Sequence, residues 1–349
     1  MIAGATQCSH YIHIEYPVKK ILNNPQHYVD EMLEGLCAAH PELQRMGEDG
    51  RVIARSQGAV DGKVGIVTGG GSGHLPVFLG YVGEGLLDSC AVGNVFAGPR
   101  MADCMEAARA ADGGAGVLQL YGNYGGDRMN FDMAAEMLEL EGIATASVRV
   151  TDDVASAPAD QKDKRRGVAG LVLVYKVVGA KAAEGASLEE VTRLARKANE
   201  ACRSIGVAIT PCVVPESGKP SFTIQDGEME FGMGIHGEPG LWRGPLKTAD
   251  ELADEMLSRL MPELDLRQGD QVGVVVNSLG ATPAEELYIL FRRVAAVMRQ
   301  KGIDIVQPLV GRYATSMEMT GASLTLMKLD DELERLLTAP ADCPFWRVY

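Results

Sequence analysis

The run Gly69-Gly70-Gly71-Ser72-Gly73-His74 follows directly on the strand-like segment Lys63-Val64-Gly65-Ile66-Val67-Thr68. A buried strand that ends in a glycine-rich turn belongs to open α/β sheets, whose ligands sit at the carboxyl ends of the strands. Without Cβ atoms, backbone N–H groups can approach a small polar ligand closely. His74 would then place an ionisable ring beside that ligand. A tight strand-to-helix turn with a capping histidine is the other reading of the same residues. Neither standard nucleotide loop fits, because Gly-Lys-Ser/Thr is absent and the third glycine of G-x-G-x-x-G falls on His74 or Pro76.

Composition removes several classes. A net charge of −14 argues against a nucleic-acid binder, since phosphate contacts need a surplus of Lys and Arg, and against an anionic membrane surface. The seven cysteines include no C-x-x-C pair and fit reduced thiols in a cytoplasmic enzyme. The first residues lack the basic region and apolar run of a signal peptide, and no stretch is long enough to span a membrane.

Strand and helix patterns alternate along the first half: strands at 64–68, 116–120 and 145–150, helices at 25–40, 100–111 and 131–141. This predicts an α/β chain of two domains. Residues 1–186 form an open, mainly parallel sheet with helices on both faces, and 187–349 form a smaller mixed α+β domain. Residues 152–166 are polar and read as a solvated loop, 167–178 as a buried strand or helix, and 187–205 as an amphipathic helix. Further strands are expected at 208–213, 229–234, 271–276, 306–313 and 323–328, with helices at 283–302 and 330–337.

Four strand-end segments could carry chemistry. Besides the glycine–histidine turn, Asp127 in Tyr121–Phe131 is either a helix N-cap or a general base. His236, flanked by glycines in Phe231–Gly240, has an open neighbourhood that suits a nucleophile or acid/base. Asn277–Pro283 reads as a cap signal, Thr282 as N-cap and Pro283 as the first helical residue. His10 and His13 have no further ligands at metal spacing, so no metal site is expected. His27 and His40 read as surface or helix-end residues. A serine triad lacks its G-x-S-x-G elbow.

The segments GGGSGH, GYVGEGLLD, NYGGDRMNF, RRGVA, GKPSFT, GIHGEPG, NSLGATP and TSMEMTGASLTL occur in this order. Together they make the chain similar to the dihydroxyacetone kinase substrate-binding (K) subunit family, over about residues 25 to 340. The resemblance implies that His236 attacks the ketone carbonyl and holds the substrate as a covalent hemiaminal. It makes Asp127 the base for the terminal hydroxyl and His74 a hydrogen-bonding partner, with Gly71 and Ser72 lining the substrate. It also implies a homodimer and no cofactor on this chain. Mg-ATP or tightly bound ADP is expected on a separate L-type nucleotide-binding subunit.

Leu75, Gly122 and Gly125 depart from the pattern of dihydroxyacetone members, which carry Glu, Lys and Thr there. Glycine at 122 is similar to family kinases acting on four-carbon ketoses such as erythrulose. The resemblance therefore implies the catalytic K subunit of a short-chain ketose kinase. The alternative is a ketone-sensing paralogue that acts with a transcription factor.

Overall fold

The computed structural model describes residues 18–349; Cys8, His10 and His13 lie outside the described residues. The first sheet holds β1 (Leu43–Met46), β2 (Val52–Arg55), β3 (Gly65–Gly71), β4 (Ser89–Gly93), β5 (Val117–Gly122) and β6 (Thr145–Val150) in the order β1-β2-β4-β3-β5-β6. The pairs β4–β3, β3–β5 and β5–β6 are parallel, and β1 and β2 add an antiparallel edge. Every residue of β3 is buried, as a central parallel strand covered on both faces requires. On one face α2 (Met101–Ala111) and α3 (Gly125–Leu140) pack Cys104, Ala108, Phe131 and Leu138 against Val67 and Tyr121.

The second sheet holds β7 (Cys202–Thr210), β8 (Glu228–Phe231), β9 (Trp242–Pro245), β10 (Gln271–Ser278), β11 (Asp304–Gly311) and β12 (Thr320–Leu329) in the order β11-β10-β12-β7-β8-β9. Only β10–β11 is parallel. Side chains alternate along β10 with the period of two that a strand imposes. Val272, Val274 and Val276 pack with α6 (Ala249–Glu263) and α7 (Ala284–Gln300), whereas Val275 joins the opposite core.

That opposite core is shared between the sheets. Helix α4 (Gly170–Ala183) is buried on every side and touches β3, β5 and β6 in one direction and β7 and β12 in the other. A helix apolar all round needs such an enclosed position. The amphipathic α5 (Leu188–Glu200) and the short α8 (Asp331–Leu337) complete this layer. Among the described residues, no helix is long and apolar enough to cross a membrane.

Three expectations need correction. Residues 152–166 are not a solvated loop, because Asp152, Asp153 and Arg165 are buried. Asp152 accepts hydrogen bonds from the Val168 and Gly170 N–H groups at 2.8 and 2.7 Å, satisfying donors at the start of α4. The helix expected over 187–205 ends at Glu200, and the chain from Cys202 pairs with β12 instead. Thr282 is not the N-cap of α7; that position belongs to Pro283, and the Thr282 hydroxyl exchanges hydrogen bonds with the Gly321 backbone.

Candidate active site

The glycine run is mostly strand. Gly69, Gly70 and Gly71 continue β3 in register with Ala91, Val92 and Gly93 of β4, whereas the pairing of β3 with β5 stops at Val67. Their missing side chains leave room for neighbours: a Cβ on Gly70 would strike the Phe78 ring, and one on Gly71 the Val95 carbonyl. Phe78 and Val95 take φ values of +72° and +25°, left-handed backbone that such residues avoid. The strained segments thereby close over the strand end and bring Phe96 flat against His74, with ring centroids 5.0 Å apart.

After β3 a single 3₁₀ turn, Ser72–His74, carries the imidazole into a fully buried position. His74 Nδ1 lies 2.6 Å from the carbonyl oxygen of Thr315. A carbonyl only accepts, so Nδ1 bears the proton and Nε2 presents a lone pair. Burial, helped by the nearby His236, pushes the His74 pKa down to about 3 against the pull of the Thr315 carbonyl. His74 is therefore a neutral acceptor at physiological pH.

His236 comes from the other half of the chain, on the turn after β8. Its ring stands edge-on to His74 and to Tyr124, each with centroids 4.7 Å away. Glu238 grips it twice. Nδ1 donates to Oε1 at 2.9 Å, and the His236 backbone N–H donates to Oε2 at 2.9 Å. Burial opposes ionisation of Glu238, but the His236 hydrogen bond and charge, with Arg166, hold its pKa down to about 2. The carboxylate fixes the Nδ1–H tautomer, leaving the His236 Nε2 lone pair as a nucleophile. Arg166, 3.8 Å from Glu238, is itself held by Asp153 at 2.8 Å.

Asp127 is the third residue of α3, and Tyr124 takes the cap position in place of the aspartate. Its side chain makes no capping bond and is nearly buried. Burial pushes its pKa up to about 6, against the charge of His236 and a backbone hydrogen bond. A Cβ on Gly98 would stand 2.7 Å from Oδ1, so glycine there leaves the carboxyl its room.

Among the described residues, five buried side-chain polar atoms have no hydrogen-bond partner, and three are Ser72 Oγ, His74 Nε2 and Asp127 Oδ1. Buried polar atoms are almost always paired, so a cluster of exceptions in one place calls for an explanation. One hydroxyl, one neutral imidazole acceptor and one carboxylate with a near-neutral pKa, near an imidazole with a free Nε2 lone pair, are groups that can hold and react with a small hydroxylated electrophile.

The Dak1 domain pattern matches residues 34–345. The chain belongs to the Dak1 family. It is 45% identical over 332 residues to the dihydroxyacetone-binding subunit DhaK of the PTS-dependent dihydroxyacetone kinase 2 of Listeria innocua, covering 95% of this chain and 100% of that one. It is 44% identical to the L-erythrulose kinase of Pectobacterium atrosepticum, covering 94% of this chain but 56% of the relative. The solved structure of the dihydroxyacetone kinase operon co-activator DhaQ superposes with a TM-score of 0.85 at 32% identity, over 91% of this chain and 98% of that one.

In this Dak1 chain the other positions read from the sequence fall around the same cluster. Leu75 follows His74, and its carbonyl accepts from the Thr315 hydroxyl at 3.0 Å. Gly122 ends β5, where a Cβ would stand 3.1 Å from the Tyr124 ring that flanks His236. Gly125 opens α3 and is exposed, with no atom within 4 Å of where its Cβ would be. Glu238, Arg166, Asp153 and Thr315 were not singled out from the sequence. A carboxylate two residues after a candidate nucleophilic histidine was the available signal for Glu238. For Thr315, 241 residues from His74, the signal was its place at the start of the segment TSMEMTGASLTL, which does not show that its carbonyl meets His74.

Proposed function

We propose that this Dak1 chain is the substrate-binding, catalytic K subunit of a short-chain ketose kinase, with the ketone held as a covalent hemiaminal on His236. The observation that carries the reading is a set of three unpartnered buried polar atoms, Ser72 Oγ, His74 Nε2 and Asp127 Oδ1, around His236, whose ring stands 4.7 Å from His74 and whose charge acts on Asp127. The names of the relatives, dihydroxyacetone-binding subunit and L-erythrulose kinase, support a ketose as the electrophile.

His236 Nε2 attacks the ketone carbon, the carbonyl π bond opens, and the oxygen takes up a proton from solvent. The ring becomes a substituted imidazolium whose charge the Glu238 carboxylate balances. A small polyol-like ketone offers little apolar area for binding, so a reversible covalent bond supplies affinity and rejects carbonyl-free polyols such as glycerol. His74 Nε2 accepts a hydrogen bond from a substrate hydroxyl. Asp127 removes the proton of the terminal hydroxyl as that oxygen attacks phosphorus. A base with a pKa of about 6 is ionised at neutral pH without being weak. Fixing the hydroxyl against the donor is worth several kcal/mol of the barrier by positioning alone, up to about 7–11.

In this reading the phosphoryl group comes from an L-type protein, from Mg-ATP or from tightly bound ADP that a phosphotransferase-system protein first rephosphorylates, and this chain holds no nucleotide. The six described cysteines are all free, in keeping with a cytoplasmic protein, and the family resemblance points to a homodimer. A second reading, a ketone sensor acting with a transcription factor, is favoured by the likeness to the DhaQ co-activator. A sensor needs the nucleophilic histidine but has no use for a buried base at Asp127.

Carbon-13 NMR with dihydroxyacetone labelled at C2 tests the adduct: the ketone signal is expected to move to the tetrahedral range on binding and to vanish with His236→Ala. Unchanged binding by His236→Ala refutes the covalent site. Turnover with a nucleotide-loaded L-type subunit separates kinase from sensor.

A further inference from the structure

Helix α3 carries Asp127 into the site and also presents an unusual outer face. Its inward residues Asp127, Phe131, Ala134 and Leu138 are buried. Outward stand Met129, Met133, Met137 and Leu140, exposed to 59, 38, 43 and 82%. Spacings of four, four and three place them in one row along the helix. A surface helix turns charged residues to solvent on that side, and single exposed apolar residues are ordinary where a contiguous row is not. No other element among the described residues carries more than two exposed large hydrophobic side chains. Methionine suits such a face, since its flexible thioether adapts to a partner's contours.

The row leads to the chemistry. Gly125 and Gly126, on the first turn beside Asp127, are exposed and have open space where side chains would stand. A phosphoryl group arriving at a hydroxyl held by Asp127 meets the chain at this end of α3. The flanks of the row are acidic: Asp132, Glu136 and Glu139 are exposed, against Arg128 alone, in a chain of net charge −14. The complementary surface is therefore an apolar ridge edged with Lys or Arg. Protein beyond this unit accompanies both relatives: one is named a subunit of a larger kinase, and the other extends well past the 56% that this chain matches.

We propose that the methionine row of α3 is the docking face for the phosphoryl-donating, nucleotide-bearing protein, which grips it with a basic-edged apolar ridge. The proposal rests on the kinase reading of the site. The probe is the purified, nucleotide-loaded L-type subunit, titrated against the full chain in sedimentation and calorimetry, with dihydroxyacetone binding measured in parallel. Met133→Glu and Met137→Glu are each expected to weaken donor binding by about 30-fold or more, the loss of an interface hot spot. Ketone binding and thermal midpoint stay unchanged, and Met133→Leu keeps donor affinity within about threefold. Unaltered donor affinity in both Glu variants overturns the proposal. So does a wild-type dimer that the variants split while donor affinity holds, which would give the face to a second copy of the chain. If ketone binds but no donor does, docking fails and the covalent site stands. If donor binds through the row but no ketone does, the site reading fails and the docking face stands.

Discussion

Glu238→Gln tests the arrangement that makes His236 a nucleophile, because it keeps size and shape and removes one charge. The carboxylate accepts two hydrogen bonds from one residue, the His236 ring N–H and the His236 backbone N–H, each at 2.9 Å. An amide can accept only one of them, since its NH₂ group meets the other donor. The fall of the Glu238 pKa from 4.5 to about 2 corresponds to about 3 kcal/mol of interaction with the ionised form. The side chain is 31% exposed, and allowing half for solvent screening leaves about 1.5 kcal/mol, roughly tenfold in an equilibrium constant. The imidazolium-like adduct depends on this charge more than the free ring does, so the loss falls on adduct formation. Arg166, left facing an amide, adds repulsion toward the adduct.

Calorimetry with dihydroxyacetone and erythrulose at pH 7 is therefore expected to show at least tenfold weaker binding by Glu238→Gln, with the tetrahedral carbon-13 signal reduced in step. Because the folded pKa is depressed, the stability from Glu238 is complete above pH 4.5 and disappears as pH falls toward 2. The wild-type and Gln proteins should differ in thermal midpoint at pH 7 and converge at the acid end. Equal ketone affinity at pH 7 would refute the claim that Glu238 sets the tautomer and balances the charge of His236.

Asp127→Asn is expected to lose turnover on the order of 10²-fold or more while ketone binding persists. It should also raise the thermal midpoint at pH 7: a buried carboxyl with its pKa pushed up to about 6 loses stability as pH rises from 3.8 to 6, and the amide avoids that cost. A lower midpoint with normal turnover would make Asp127 structural. In the wild type, turnover should fall as pH drops below about 6, and an acid limb unchanged in position by Asp127→Asn would assign it to another group. Because Leu75, Gly122 and Gly125 stand where dihydroxyacetone members carry larger or more polar residues, an erythrulose-type tetrose is expected to exceed dihydroxyacetone in kcat/KM by roughly 10- to 200-fold, the range one extra group allows; a preference for dihydroxyacetone over both erythrulose enantiomers would refute this. Gly125→Thr, which meets open space, should fold normally and erode that preference. Gly122→Ala, whose Cβ stands 3.1 Å from the Tyr124 ring, should weaken both ketoses by displacing the wall of His236; kinetics on both sugars check the pair.

Local patterning carried much of the fold. β6 begins and ends at the residues read from the sequence, because alternation marks a strand that pairs on one edge and packs on one face. α6 is absent from the expected helices although Thr248 and Glu251 form a full capping box, a signal that is present in the residues. The glycine run is less legible for a different reason. The atoms nearest a side chain at Gly70 and Gly71 belong to Phe78 and Val95, and no local pattern says whether a missing Cβ makes room for a ligand or for the chain itself. The site divides in the same way. His74, Asp127 and His236 stand out by residue type and loop context, but the protonation of His74 depends on a partner far along the chain and that of His236 on Glu238 two residues away. Thr315, from the second half, decides which nitrogen of His74 holds the proton, and Arg166, from the first, supports the carboxylate that decides it for His236. The state of His74 is thus set by the other half of the chain, and that of His236 by Glu238 beside it with support from Arg166 across the halves. The proposed ketone chemistry would therefore depend on the two sheets staying docked through α4, which keeps Thr315 on His74 and Arg166 by Glu238, and loosening that layer is expected to cost activity before it unfolds either sheet.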